Sequence, residues 1–296
     1  NGPREVLEIQ SYKWSSIKSA VSGNLPFSPA EWVGFGSMLI AVLLLFVDVW
    51  LSLIPSLGFI LLCAAAPFFP RFSFFLPVTS RGASNKKAVA LTFDDGPDPL
   101  VTPQVLQLLL KHQVKATFFV TGKKAAEYPE LIKEILLNGH SIGNHSYSHD
   151  NLLMFRRIKT IVEEITTGQN VLSDFGIVPL AFRPPVGITG PRLRPALLNS
   201  GMYVVTFSCR AHDGGNRWIK DISKKILKRI RPGDIVVLHD VMPHKQTLFA
   251  YWLNEMDLIV SGIKEKRLAV LPLAEIIDRP VMITQTDGDK GFTEER

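Results

Sequence analysis

Residues 88–112 read AVALTFDDGPDPLVTPQVLQLLLKH, and the whole fold follows from how this stretch is parsed. An apolar, β-favouring run (88–93) meets two acids, a glycine and a proline, all turn-forming residues. A helical pattern (103–112) follows, with Val105, Leu108 and Leu109 at i, i+3, i+4 spacing. The unit is therefore strand, turn, helix. The same alternation recurs downstream, with strands expected at 116–120, 141–143, 181–182, 203–207, 235–238 and 269–270. Helices are expected at 129–138, 158–175, 192–200, 221–230 and 247–264. Alternation repeated about seven times implies an α/β fold, a largely parallel sheet closed or nearly closed into an irregular (β/α)7-type barrel. Sites in such folds form at the carboxyl ends of strands. Asp94, Asp95, His145, Arg183 and His239 each fall just after an expected strand.

Working outward, the chain divides by composition. From Trp32 to Phe75 the only ionised side chains are Asp48 and Arg71. That block (32–77) is about twice the length of one membrane span and reads as a transmembrane hairpin. Its first helix is expected from Trp32 to Trp50, with a turn at Pro55 and a second helix to Phe75. A cleaved leader fits poorly, because the apolar block is too long and lacks a small-residue cleavage site. A polar segment (1–31) precedes it, and a small, basic linker (78–87) leads to the soluble domain (88–277) and a polar tail (278–296). The absence of an initiator Met suits a trimmed fragment. Arg71, Arg81, Lys86 and Lys87 follow the block while its turn has no basic residue, so the positive-inside rule puts the soluble domain on the cytoplasmic face.

The net charge of +6 is scattered, and clusters such as Lys224-Lys225 and Lys228-Arg229 have the spacing of a solvated helix face. Nucleic acid is not an expected partner. Cys63 and Cys209 lie in separate regions without CxxC spacing, which argues against a disulfide or a redox pair. No Gly-rich phosphate loop is present.

The chemistry concentrates in four runs. Adjacent carboxylates at Asp94-Asp95 point in different directions, so one can ligate a metal while the other faces substrate. His145-Ser-Tyr-Ser-His149 places two imidazoles four apart, expected on one face of a helical turn. With Asp95 they supply three ligands and leave a position open for water, as in catalytic metal sites. Five of the seven histidines lie between residues 140 and 239. Arg183-Pro184-Pro185-Val186-Gly187 offers a cation and a stiff turn, and Leu238-His239 ends an apolar strand.

Together, Thr-Phe-Asp-Asp-Gly-Pro, Gly-Asn-His-Ser-x-Ser-His, Arg-Pro-Pro-x-Gly and Leu-His resemble the polysaccharide deacetylase family (NodB homology domain, carbohydrate esterase family 4). The resemblance spans roughly residues 86–277. It implies Asp94 as the general base toward metal-activated water, and Asp95, His145 and His149 as ligands of one divalent ion, usually zinc, sometimes cobalt or nickel. Arg183 would orient the base, the Val186 N–H would face the oxyanion, Leu238 would line the acyl pocket, and His239 would be the general acid, tuned by Asp213. One run departs from the family pattern. Arg210 stands where the first Asp of Asp-x-x-Asp-Trp is usual, and Gly214 where the Trp is. His212 is read as structural.

The expected activity is therefore removal of N-acetyl groups from an amino-sugar glycan (peptidoglycan-like, chitin-like or lipid-linked) at a membrane. The alternatives are an O-acetyl esterase using the same site and a catalytically silent, membrane-anchored sugar-binding module.

Overall fold

The structure, a computed structural model, describes residues 27–284 apart from Pro70 and Ser84. The polar segment before residue 27 and the tail from residue 285 lie outside the described residues.

Two antiparallel helices come first, α1 (Pro29–Leu45) and α2 (Val49–Ala65). Ser28 and Glu31 form a reciprocal capping box at the start of α1. The turn falls at Phe46–Asp48 and not at the expected Pro55. Asp48 caps α2 by accepting from the Trp50 and Leu51 amides at 2.7 and 3.1 Å, which starts the second helix seven residues earlier than Pro55 would. Pro55 then sits inside α2, at the expense of one backbone hydrogen bond. The apolar stretch Val49–Phe68 is long and apolar enough to cross a membrane, with 20 residues, a mean hydropathy of 2.1 and 11% of it buried. Helix α1 has the same 17 residues as α2 itself but no such extension past its end.

The second helix does not continue to Phe75. Phe74, Phe75 and Leu76 are buried in one cluster with Phe182, Leu193, Ile161 and Ile165 of the downstream domain and with Ala30 and Ala66 of the hairpin, so these apolar residues join the two and do not extend the second helix. The expected linker is likewise partly structural: β1 (Val78–Thr79) pairs in parallel with Val204 and Val205.

The domain continues through β2 (Ala88–Asp94), α3 (Thr102–Lys111), β3 (Thr117–Val120), α4 (Gly122–Glu127), α5 (Pro129–Leu137) and β4 (Ser141–Asn144). Then come α6 (Ile158–Ser173), β5 (Ile177–Pro179), β6 (Ala181–Phe182), α7 (Leu193–Ser200), β7 (Tyr203–Val205), α8 (Ile222–Arg229) and β8 (Ile235–His239). The last elements are α9 (Phe249–Glu265), β9 (Ala269–Val270), α10 (Leu273–Ile277) and β10 (Met282–Thr284). The main sheet has the order β1-β7-β6-β4-β3-β2-β8, with β9 beside the start of β2. Every pairing in it is parallel. The sheet curls: Ser208 and Cys209, just past β7, donate to the Ile235 carbonyl of β8 at 3.0 and 3.1 Å. Val237 returns a bond to Cys209. Strand β10 pairs antiparallel with β5, so the fold extends past the expected boundary at residue 277 and takes in the first residues of the expected tail.

Strand alternation divides the core. Val89, Leu91 and Phe93 of β2 and Val236 and Leu238 of β8 face the helices, whereas Ala88, Ala90, Ile235 and Val237 face inward. Asp94 and His239 end the inward rows. They lie directly opposite one another in the β2–β8 register.

Candidate active site

The strand ends deliver one constellation. Asp94 closes β2 and His239 closes β8. His145 follows β4, Arg183 follows β6, and Asp213 lies in the connection after β7. All but Arg183 line a single cleft of about 400 Å³.

Arg183 is fully buried and anchors the floor. Its guanidinium donates to Asp94 Oδ1 at 2.6 Å, Thr92 Oγ1 at 2.8 Å and the Thr206 carbonyl at 2.9 Å, and it lies 3.9 Å from the Phe119 ring centroid. Burial pushes its pKa down and Asp94 opposes that. The arginine occupies Asp94 Oδ1. The other oxygen, Oδ2, lies 4.0 Å from His145 Nε2.

The expected helical turn at His145–His149 is instead a loop. Ser146 and His149 have φ of 65° and 59°. Asn144 Oδ1 accepts from the Ser146 amide at 2.8 Å, and Glu164 accepts from the Tyr147 and Ser148 amides at 3.1 and 2.8 Å. These side chains bend the backbone away from a helix. The two rings still converge, with centroids 4.8 Å apart, and Asp95 Oδ1 lies 3.2 Å from His145 Nε2 and 3.0 Å from His149 Nε2.

This geometry fits a cation. His145 Nδ1 lies 2.7 Å from the Arg183 carbonyl, which can only accept, so Nδ1 carries the proton. In a neutral imidazole, Nε2 then aims a lone pair at the Asp95 carboxylate, and two acceptors need a positive charge between them. The three donor atoms lie within 4.8 Å of one another.

On the adjoining wall, at the end of β8, His239 Nδ1 bonds Asp213 Oδ2 at 2.8 Å. Burial lowers the His239 pKa, yet Asp213, helped by Asp95 and Asp94, brings it up to about 9. Asn216 ties this wall together, donating to the His239 and Val241 carbonyls at 3.0 and 2.7 Å while Trp252 Nε1 donates to its Oδ1 at 3.0 Å. Thr92, Asn144, Glu164, Asn216 and Lys124, which donates to the Asp95 carbonyl at 2.8 Å, escaped the sequence reading. Only Asn144 and Thr92 stood inside quoted motifs.

The polysaccharide deacetylase sequence model matches residues 81–205. A peptidoglycan-N-acetylglucosamine deacetylase of Bacillus cereus is 36% identical over 165 residues, 55% of this chain and 77% of that protein. The chain belongs to the polysaccharide deacetylase family. A chitooligosaccharide deacetylase of Azorhizobium caulinodans is 32% identical over 204 residues, 66% of this chain and 96% of that protein. The solved Bc1960 peptidoglycan N-acetylglucosamine deacetylase superposes with a TM-score of 0.62 at 32% identity, covering 69% of this chain and 94% of its own. As a member of this family the chain is a hydrolase of carbohydrate metabolism, and its curled parallel sheet is the family's fold.

One assigned residue is misplaced. Leu238 packs with the outer core beneath the helices, because it lies on the opposite face of β8 from His239. Val237 lines the cleft instead. Leu238→Ala is expected to reduce stability by about 2–5 kcal/mol with little change in kcat/KM. Val237→Ala is expected to lower kcat/KM about tenfold and, because Val237 is also buried, to lose about 1–2 kcal/mol of stability, less than Leu238→Ala. Melting curves and initial rates on both variants check this, and the reverse pattern would restore Leu238 to the pocket.

The departures from the family pattern also have a structural answer. Gly214 has φ 61°, and a Cβ there would lie 2.6 Å from the Trp218 ring. Trp218, 66% exposed, thus occupies the space a side chain at 214 would take and lines the cleft itself. Arg210 also lines the cleft, 5.4 Å from the Phe207 ring centroid.

Behind Asp94 lies a second carboxyl, Asp240, fully buried. It accepts from Thr102 Oγ1 at 2.7 Å, and its Oδ1 has no partner among the described residues. Burial pushes its pKa from 3.8 up to about 7. The folded state therefore bears a cost that is absent below about pH 4, grows to about pH 7 and is complete above it. Asp240→Asn removes that dependence. It is expected to gain up to about 4 kcal/mol over the native chain at pH 8 relative to pH 4, at 1.36 kcal/mol per pKa unit. Unfolding measured at both pH values checks the sign.

Proposed function

We propose that the chain is a metal-dependent hydrolase that removes N-acetyl groups from an amino-sugar glycan while tethered to a membrane. The observation that carries this reading is that an arginine-anchored carboxylate, Asp94, and an aspartate-paired imidazole, His239, end adjacent strands in the cleft that also holds the three-donor cluster. Asp95, His145 and His149 would hold the ion, and two imidazoles with one carboxylate suit zinc. A divalent ion supplies Lewis-acid polarisation and makes water more acidic.

The side chains do the rest. Arg183 holds Asp94 Oδ1 in place, and Asp94 Oδ2 accepts the proton of the attacking water. The water oxygen bonds to the acyl carbon, and the N–H of Val186, whose backbone turns to φ 52°, faces the developing oxyanion. His239 then gives its proton to the departing nitrogen as the C–N bond breaks, leaving acetate and a free amine. An amine leaves only when protonated, so a histidine held protonated at neutral pH favours amide over ester hydrolysis. The test is acetate release from N-acetylated chitooligosaccharides and peptidoglycan fragments, with metal content measured on the same sample. Acetate release from O-acetyl xylan alone would support the esterase reading. Metal uptake with binding but no turnover would support the silent module.

The hairpin is proposed as the membrane anchor. Its turn carries no basic residue, whereas Arg71, Arg81, Lys86 and Lys87 follow its other end, so the domain is assigned to the cytoplasmic face. In a cysteine-free background, single cysteines at Val47 and Asn85 are expected to label from outside and inside respectively. External labelling at Asn85 would reverse the assignment.

A further inference from the structure

Beside the cleft lies a second cavity of about 440 Å³, lined by Arg71, Arg81, Arg210, Arg229 and Arg231, with Asp234 as its one acid. Asp234 is committed: it accepts from Arg81 at 2.9 and 2.5 Å, from Ser208 Oγ at 2.6 Å and from the Arg231 amide at 2.7 Å. Arg71 donates to the Ser208 carbonyl. Among the described residues, none of the Arg71, Arg210, Arg229 and Arg231 guanidiniums has a carboxylate within ion-pair distance. Converged guanidiniums without carboxylates repel one another, and the ligands that relieve this are oxyanions, above all phosphate esters, which accept paired N–H bonds. The field acts on its neighbours. Burial, with Arg210 and Arg229, holds the His212 pKa below its ordinary value.

Two further placements narrow the ligand. The cavity shares Phe207, Arg210 and His212 with the catalytic cleft, so one molecule can reach both. Phe69 and Arg71 line it directly after the apolar stretch that ends at Phe68, and Phe68 and Phe69 are 59% and 60% exposed. A sugar in the cleft would thus have its phosphate linkage among the arginines and an apolar aglycone toward the hairpin. Resting on the deacetylase reading above, we propose that this cavity binds the phosphate or diphosphate of a phosphate-linked amino sugar, and that the substrate is a lipid-carried sugar phosphate.

The test uses the full chain in detergent, with inorganic pyrophosphate as the binding probe. Arg229 and Arg231 lie outside the cleft and are solvent-exposed, so R229Q/R231Q leaves the catalytic side chains in place. Each lost charged hydrogen bond is worth about tenfold in affinity. Pyrophosphate binding is expected to weaken at least about tenfold in R229Q/R231Q and to recover in part in R229K/R231K. Deacetylation of a phosphate-linked N-acetyl sugar should fall by a similar factor, with neutral chitooligosaccharide turnover unchanged. Absent pyrophosphate binding, or equal binding by the glutamine variant, overturns the proposal while leaving the deacetylase reading intact. Pyrophosphate binding displaced by anionic phospholipid vesicles, with no preference for the phosphorylated sugar, assigns the arginines to a lipid headgroup and also overturns it. Intact, arginine-dependent pyrophosphate binding without acetate release from any glycan keeps the anion site and removes the deacetylase reading.

Discussion

Replacing Asp94 with asparagine is expected to lower kcat by about 10²–10⁴-fold while the chain still takes up one equivalent of metal. The two effects separate because Asp94 is not one of the three clustered donors. Its role is to accept a proton, which an amide does not do. The substitution also reduces stability. Arg183 keeps Thr92, the Thr206 carbonyl and the Phe119 face, but its buried charge loses its counter-ion. Breaking a buried pair from one side costs about 3–5 kcal/mol. Rates must therefore be measured well below the lowered melting temperature, beside a metal analysis. Retention of a tenth of the native kcat, or loss of the metal, would contradict the assigned role.

Much of this site was legible in the sequence because strand ends and turns carry local signatures. The run at 92–97 fixed where β2 stops, and the strand register then carried Asp94 to His239 without further information. What sequence spacing misjudged was direction. Leu238 and Val237 differ by one residue, and one residue changes the face of a strand, which no motif string records. The same holds for His145 and His149. Their i, i+4 spacing suggested a helix, but Asn144 and Glu164 impose a loop through hydrogen bonds to the backbone, Glu164 reaching back 17 residues to the Tyr147 amide. Pro55 misled for a related reason. A proline favours a turn only where no stronger cap is near, and Asp48 is one. The five arginines of the second cavity come from four separate segments, so no window of sequence shows them together.

Asp213→Asn is expected to affect both the height and the alkaline edge of the pH–rate profile. In the native chain the aspartate holds His239 protonated up to about pH 9, so the acid form needed to release the amine persists through the neutral range. Asparagine removes the charge, and burial, which lowers the His239 pKa, then acts unopposed by its nearest partner. The alkaline limb of kcat/KM should move down by more than one pH unit, and kcat at pH 8 should fall by about 10²–10⁴-fold. Stability follows the same linkage. A histidine whose folded pKa exceeds its unfolded 6.5 contributes stability that is full below about 6.5 and is lost as pH rises to about 9. The variant should therefore melt lower than the native chain at pH 6 and approach it above pH 9. Were Asp213 only a positioning group, the plateau would drop and the limb would stay near 9. A shifted limb with the acid-side stability loss would instead mark Asp213 as the residue that keeps His239 charged, and the amide reading rests on that charge.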